Sequence, residues 1–432
     1  MELLDLLKIP EDCLNEITLR LKQKSMIYLS LTCKYLHDKV KVKSIYTSNT
    51  FDPSKYQYVE SIVGIPQEYT NLKFLRKLRI EYRSGELILN ELPNLTNLNI
   101  STNFIKDVSQ FHKLVELECG GLPLGIEKLK LKTLKLTNVS SHQFDSLGEY
   151  PYVNNLSLDA TSCRNLLKIS DHFPNLTKLN IGAKHIENVD LTGLVLKTLD
   201  AWTEFGMLDI SQLTMIESLT ISGYIIHNNL RGFTNLTKLH VYESYLNISD
   251  YSHMTKLKKL TMIESDQVTK LPKSITELNC DNLTADLTNL LGLPKGHINK
   301  LHDWNNQVSS DVIKRMSNLK VLEVSEKCIH VENSNVSRVK SWSKRLDVLN
   351  VPNIKKLTLY NIPTECLKVN PTCIPQIEME GYAWDELNFI NSFGQVKVNK
   401  LVFICYNDKQ ILELSEKVHA YKLTNVTKIK FK

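Results

Sequence analysis

Apolar residues recur along this chain at i, i+3 and i+5. In FTNLTKLHV (Phe233 to Val241) they are Leu236, Leu239 and Val241. The same frame stands as LPNLTNLNI (Leu92 to Ile100), FPNLTKLNI (Phe173 to Ile181), LTMIESLTI (Leu213 to Ile221), MTKLKKLTM (Met254 to Met262) and MSNLKVLEV (Met316 to Val324). Looser copies end at Ile80, Cys119, Leu136, Leu158, Ala201, Cys280, Leu359, Met379 and Phe403. The last two apolar positions are two apart, so in an extended strand they share one face, which the pattern predicts to be inward. The residue between them, such as His240, faces the other way. The first Leu enters from the turn before the strand. One such unit cannot bury its apolar side alone, so neighbouring units must stack.

The second Leu of the frame falls at 78, 98, 117, 134, 156, 179, 199, 219, 239, 260 and 278, in steps of 17 to 23 residues. A recurring period of this length outranks any local reading. The period and the L-x-x-L-x-L frame resemble leucine-rich repeats from about Leu72 to the C-terminus. The resemblance implies an α/β solenoid, an irregular horseshoe of stacked strands. The family usually places an Asn five residues after the second Leu, where it hydrogen-bonds along the stack. Asn103 fits, but Val139, Thr161, Lys184, Glu204, Tyr224 and Ser244 stand elsewhere. Apolar stacking, more than an Asn ladder, is therefore expected to hold the turns.

Repeats of about 20 residues have room for a strand and a tight return, but not for a full helix. After about Leu283, helical spacing appears in SSDVIKRM (Ser309 to Met316), WDELNFINSF (Trp384 to Phe393) and DKQILELSEKVHAY (Asp408 to Tyr421). Helices are thus expected mainly in the C-terminal repeats. Between Val324 and Leu357 the frame is lost, which predicts an insertion loop or a degenerate repeat over Glu326 to Arg345. The closing VTKIKFK alternates lysine with apolar residues, as an exposed sheet edge requires.

Residues 7 to 40 do not fit the repeat. Pro10 suits the first turn of a helix, with Glu11 and Asp12 where the helix dipole favours acids. Leu14, Ile17 and Leu21 follow at helical spacing, and a second apolar helix is predicted through Ile27, Leu29, Leu31 and Leu36. Helices this short make a poor core of their own. Ile9-Pro10, Glu11, Cys13-Leu14, Ile17, Leu21 and Leu31-Thr32-Cys33-Lys34 resemble the F-box signature, with Tyr35-Leu36 where the family often has Trp and Thr32 where it often has Val. The expected organisation is a helical F-box at 1–42, a connector and N-terminal cap at 43–71, and repeats at 72–432. In the connector, Ile45, Val59, Ile62 and Ile65 are expected to form an incomplete first repeat.

The F-box resemblance implies a substrate-recognition subunit of a Skp-cullin-F-box ubiquitin ligase. Its adaptor-binding residues would be Ile9, Pro10, Leu14, Ile17, Leu21, Leu29, Leu31 and Cys33. Its partners would be a Skp-type adaptor, through it a cullin, and one or more client proteins. Two other readings use the same docking: a non-catalytic scaffold in a stable assembly of kinetochore type, and a pathogen effector.

The totals narrow this little. Net charge is +6, from 53 basic and 47 acidic residues, with no basic block interleaved with aromatics, so no nucleic-acid partner is expected. No apolar run approaches a membrane span, and MELLDLLKIPED lacks a signal-peptide pattern. Nine scattered cysteines without a C-x-x-C fit reduced thiols in the cytosol or nucleus, not a disulfide framework or a zinc site. The N-x-T sequons, such as Asn94-Leu-Thr96, follow from the repeat frame, which puts Asn before its first Leu.

Candidate chemistry follows from the frame. Residues beside the inward pair should line the concave surface. Early repeats offer small polar groups there: Asn97, Asn99, Ser101, Thr133, Lys135, Thr137, Asn155, Ser157 and Asp159. Later repeats offer Trp202, His240, Tyr242, His302, Trp304 and Tyr360, a diagonal strip of large groups suited to anchoring a client protein. GGLPLG (Gly120 to Gly125) lacks phosphate-loop spacing, and neither His240 nor His302 has a triad partner at fixed spacing. No catalytic site, metal site or cofactor is expected.

Overall fold

The computed structural model describes residues 44–46, 59–64, 72–80, 92–100, 105, 107–163, 167–206, 208–223, 230, 232–243, 249–264, 268–280, 297–303, 308, 310–324, 330–333, 335–342, 348–360, 368–369, 373–380, 396–405, 410–411, 414–416 and 426–431. The chain divides into two compact units, Met1–Phe205 and Gly206–Lys432.

In the first unit, parallel strands follow the sequence frame. They are Ser44–Tyr46, Ser61–Val63, Lys77–Ile80, Asn97–Ile100, Glu116–Cys119, Thr133–Leu136, Asn155–Asp159, Lys178–His185 and Thr198–Phe205. Each pairs with the next. The register aligns Ile62, Leu78, Leu98, Leu117, Leu134, Leu156, Leu179 and Leu199 in one row, every one of them buried. The next inward row, from Ile80 through Cys119 to Ala201, is buried as well. Burying a Leu of this kind contributes about 1.5–3 kcal/mol. Cys119 packs as a small hydrophobe, and burial pushes its thiol up to about 12.

The second unit repeats the plan. Its strands are Ser218–Gly223, Lys238–Tyr242, Lys259–Ile263, Glu277–Cys280, Lys300–Asp303, Val321–Val324, Arg338–Ser341, Lys356–Leu359, Ile377–Glu380, Leu401–Ile404 and Ile429–Phe431. Successive strands are again parallel, with Leu219, Leu239, Leu260, Leu278, Leu301, Leu322, Val339, Leu357, Ile377, Leu401 and Ile429 in one row. Both units are leucine-rich-repeat-like β-solenoids with few helices.

In the expected cap region Ser44–Tyr46 and Ser61–Val63 pair in register with the strands that follow, and Ile45, Val59 and Ile62 are buried. Within Glu326 to Arg345, where the sequence allowed an insertion loop or a degenerate repeat, the described residues form a degenerate repeat. Val336 and Val339 take the Leu positions and buried Ser341 the third, so the frame persists without leucine.

The expected gathering of helices in the C-terminal repeats is not shown by the described helices. Those described are short and occur in both units, at Ser141–Asp145, Ile169–His172 and Ser310–Arg315, with helical turns at 410–411 and 414–416. The Ser140 capping box closes the first of them within a single repeat. The expected F-box helices and the helix at 384–393 lie outside the described residues.

Asparagines link some turns at another position of the frame. Asn94 Nδ2 donates to the Lys73 carbonyl of the previous turn at 2.7 Å, and Asn175 Nδ2 to Pro151 at 2.9 Å. Two residues on, the Thr96, Thr177 and Thr237 hydroxyls donate to Arg76, Asn154 and Glu217 carbonyls at 2.9–3.1 Å. The recurring N-L-T is thus an inter-turn corner, and its sequon character is incidental to this role. Asn103 itself lies outside the described residues. Asn94→Ala should cost about 1 kcal/mol in urea unfolding. A loss indistinguishable from zero would show that the corner does not hold the stack.

GGLPLG also resolves as packing. Gly125 has φ +78°, and a Cβ there would fall 2.4 Å from the Ser109 Cβ, so only glycine fits.

Candidate binding face

The residue between the two inward positions of each strand, and the one after them, point away from the core. Along the second unit the register places Thr220, His240, Thr261, Asn279, His302, Glu323, Lys340, Thr358 and Glu378 in one outer row. Trp342 and Tyr360 occupy the next outward position, two residues beyond Lys340 and Thr358.

These rows converge on one cluster. Glu323 is 4 % exposed. Its Oε1 lies 2.9 Å from Lys340 Nζ and 3.1 Å from Lys300 Nζ, and its Oε2 lies 3.2 Å from His302 Nδ1. Burial pushes the Glu323 carboxyl up, but hydrogen bonds from Lys340 and Lys300 outweigh it and leave the group below its ordinary value. Burial pulls the His302 imidazole down to about 4, Lys300 and Lys340 push the same way, and Glu323 opposes them. At neutral pH the cluster therefore holds one carboxylate, two ammonium groups and a neutral imidazole.

Over this charge lies a stack of rings. Trp342 is 4.1 Å from Tyr360 at an interplanar angle of 3°, and 5.4 Å from His302 at 16°. Trp342 is therefore held from both faces. Its half-buried edge, with that of Tyr360, forms an aromatic ledge on the outer face. Rigid amphipathic rings beside neutralised charge can anchor a protein partner at low entropic cost.

The expected residues that are described fall at separate places on the outer faces of the two units. His302 and Tyr360 belong to the cluster, but His302 is 7 % exposed and supports the ledge from beneath Trp342. His240 and Tyr242 stack on each other at 6.4 Å elsewhere on the outer face. Burial, with Lys259 and Lys238, lowers the His240 imidazole. Trp202 belongs to the first unit, where it is 42 % exposed and lies against Gly182 of the neighbouring strand. Trp304 and all eight expected adaptor-binding residues, from Ile9 to Cys33, lie outside the described residues.

Trp342 is the residue that the sequence reading missed. Its signal is the 35-residue interval from Leu322 to Leu357, which divides at Val339 into 17 and 18.

The small polar groups of the first unit are tied to each other. Asn99 Nδ2 donates to Glu118 Oε2 at 2.6 Å, Glu118 pairs with Lys135 at 2.7 Å, and Asn97 bonds Glu116. Among the described residues no group of His, Cys, Asp or Glu is arranged to hold a metal, and no helix is long and apolar enough to cross a membrane.

The F-box domain family matches residues 6–48. No curated protein is similar in sequence. Among solved structures the chain is similar to the functional domain of InlJ from Listeria monocytogenes, which includes a cysteine ladder. Identity is 14 %, over 85 % of this chain and 75 % of that one, with a TM-score of 0.31. That likeness carries no argument, and the fold rests on the strand register. The chain pairs a match to the F-box domain family at residues 6–48 with leucine-rich-repeat-like stacked strands in each of its two units.

Proposed function

We propose that the chain is the substrate-recognition subunit of a Skp-cullin-F-box ubiquitin ligase, acting where thiols stay reduced, in the cytosol or nucleus. The observation that carries this reading is the F-box at 6–48 on a chain whose remainder is a stacked-strand binding surface. F-box domains generally bind Skp-type adaptors, and the adaptor would bring the cullin. The solenoid would hold a client, and the aromatic ledge of Trp342 and Tyr360 is its proposed anchor. The chain itself would form and break no bonds. It would raise the effective concentration of client lysines near the transferring enzyme.

Truncating the ledge tests the reading. Trp342→Ala should weaken client binding by about 2 kcal/mol or more, roughly thirtyfold in affinity. Adaptor binding, which depends on the other end of the chain, should be unchanged. Titrations of client and adaptor against the same variant, with its thermal midpoint recorded, distinguish the outcomes. Unchanged client affinity in a folded variant would remove the ledge from the site.

A further inference from the structure

We propose that the strand-entry edge of the second unit is a docking groove for an acidic, extended polypeptide segment, a surface separate from the aromatic ledge and independent of the F-box. The residue that enters each strand bonds to its counterpart on the turn before. Thr276 N donates to Lys258 O at 2.8 Å, Asn299 N to Thr276 O at 2.9 Å, and Lys320 N to Asn299 O at 2.8 Å. Lys258 and Lys320 therefore stand three turns apart on one line. A groove of about 490 Å³ runs along it, lined also by Lys273 and His297.

No carboxylate is among the described residues that line this groove. Lys258, Lys273, His297 and Lys320 are all exposed. Among the described residues, none of the three lysines is paired with an acid. On the matching line of the first unit Arg76 and Lys132 likewise stand at the ends, with Thr96 and Val115 between them, whereas the groove described above is lined by residues of the second unit alone.

Spacing selects the occupant. Turns about 4.8 Å apart put Lys258 and Lys320 roughly 14 Å from each other at the backbone. An extended peptide advances about 3.4 Å per residue, so acids at i and i+4 share a face and span the same distance. Single-stranded nucleic acid would be expected to find stacking platforms beside the charge, and no aromatic ring other than His297 lines the groove. An acidic polypeptide is therefore the favoured partner.

The test is fluorescence anisotropy of a labelled peptide alternating Glu and Gly, titrated with the full chain. Binding should disappear when Gln replaces Glu. It should weaken steeply between about 0.1 M and about 1 M salt, as the screening length falls from ~10 Å to ~3 Å. Lys258→Glu with Lys320→Glu should weaken it at least about tenfold. Arg76→Glu with Lys132→Glu, on the matching edge of the first unit, should change it less than about twofold. If circular dichroism shows that the reversal pair is unfolded, Lys258→Gln with Lys320→Gln takes its place, with a loss in the same direction. Equal losses from both edges, no binding of the Glu peptide, or tighter binding of an oligouridylate would each overturn the proposal.

Discussion

Replacing Lys300 and Lys340 together by methionine should destabilise the second unit by about 1–3 kcal/mol at neutral pH, because Glu323 is buried while both lysines are more than a third exposed. Methionine keeps most of each side chain's apolar packing and removes the charge. Glu323 would then keep its buried carboxylate with only His302 Nδ1 beside it, at 3.2 Å. That imidazole is pulled down to about 4 in the native chain, so it offers a hydrogen bond and no countercharge at neutral pH. Removing one side of a buried ion pair costs more than the pair itself contributes, because the survivor stays desolvated.

The same variant should invert the pH dependence. In the native chain the Glu323 carboxyl is lowered, so its contribution to stability is present above its unfolded value and lost as pH falls through the folded value. The His302 imidazole is also lowered, so its contribution is full above about 6.5 and fades as pH falls toward 4. Without the lysines, burial alone acts on Glu323 and raises it. The folded state then takes up the proton more readily, and acidification restores stability. The deficit, read by urea unfolding, should shrink between about pH 7 and pH 5. A small deficit that is flat with pH would mean that Glu323 is not held by the two lysines.

The second large effect concerns docking. Ile17→Asp with Leu21→Asp places two charges on the apolar face proposed to meet the adaptor. Burying an unpaired carboxylate in an apolar contact costs several kcal/mol, so adaptor affinity should fall by about a hundredfold or more. The N-terminal segment is the part of the chain matched to the F-box family. The solenoid should be untouched, and the circular dichroism of the double variant should retain its strand signal. Full adaptor recovery with a folded variant would remove these residues from the docking face.

The solenoid was legible because its signal is redundant. Leu239 and Val241 are one pair among more than a dozen, and a strand period of two leaves no freedom in which face they take. Legibility failed where a residue kept its position but changed its chemistry. Val336, Val339 and Ser341 fill leucine positions, so the repeat bearing Trp342 could be read as an insertion loop or as a degenerate repeat. Asn333 belongs to the same repeat. It is buried, and its amide donates to the Ile313 and Met316 carbonyls at 2.5 and 3.1 Å, closing the Ser310–Arg315 helix end.

The candidate site was less legible for a second reason. His302 and Tyr360 are 58 positions apart, and only stacking through Trp342 joins them. The basic edge was hidden in the same way. Lys258, Lys273 and Lys320 are scattered in sequence and form no run, but successive turns bring them to one groove. Linear charge patterning reads blocks, whereas a solenoid assembles its surface from residues about 20 apart.

The most direct measurement is purification of the tagged chain from its native cells, with and without a proteasome inhibitor, followed by quantitative mass spectrometry. A substrate-recognition subunit should bring the adaptor and the cullin in both conditions, and should gain a client when degradation is blocked. Trp342→Ala should lose that client and keep the adaptor. A fixed stoichiometric assembly with little cullin, unchanged by the inhibitor, would contradict the ligase reading and identify the chain as a scaffold.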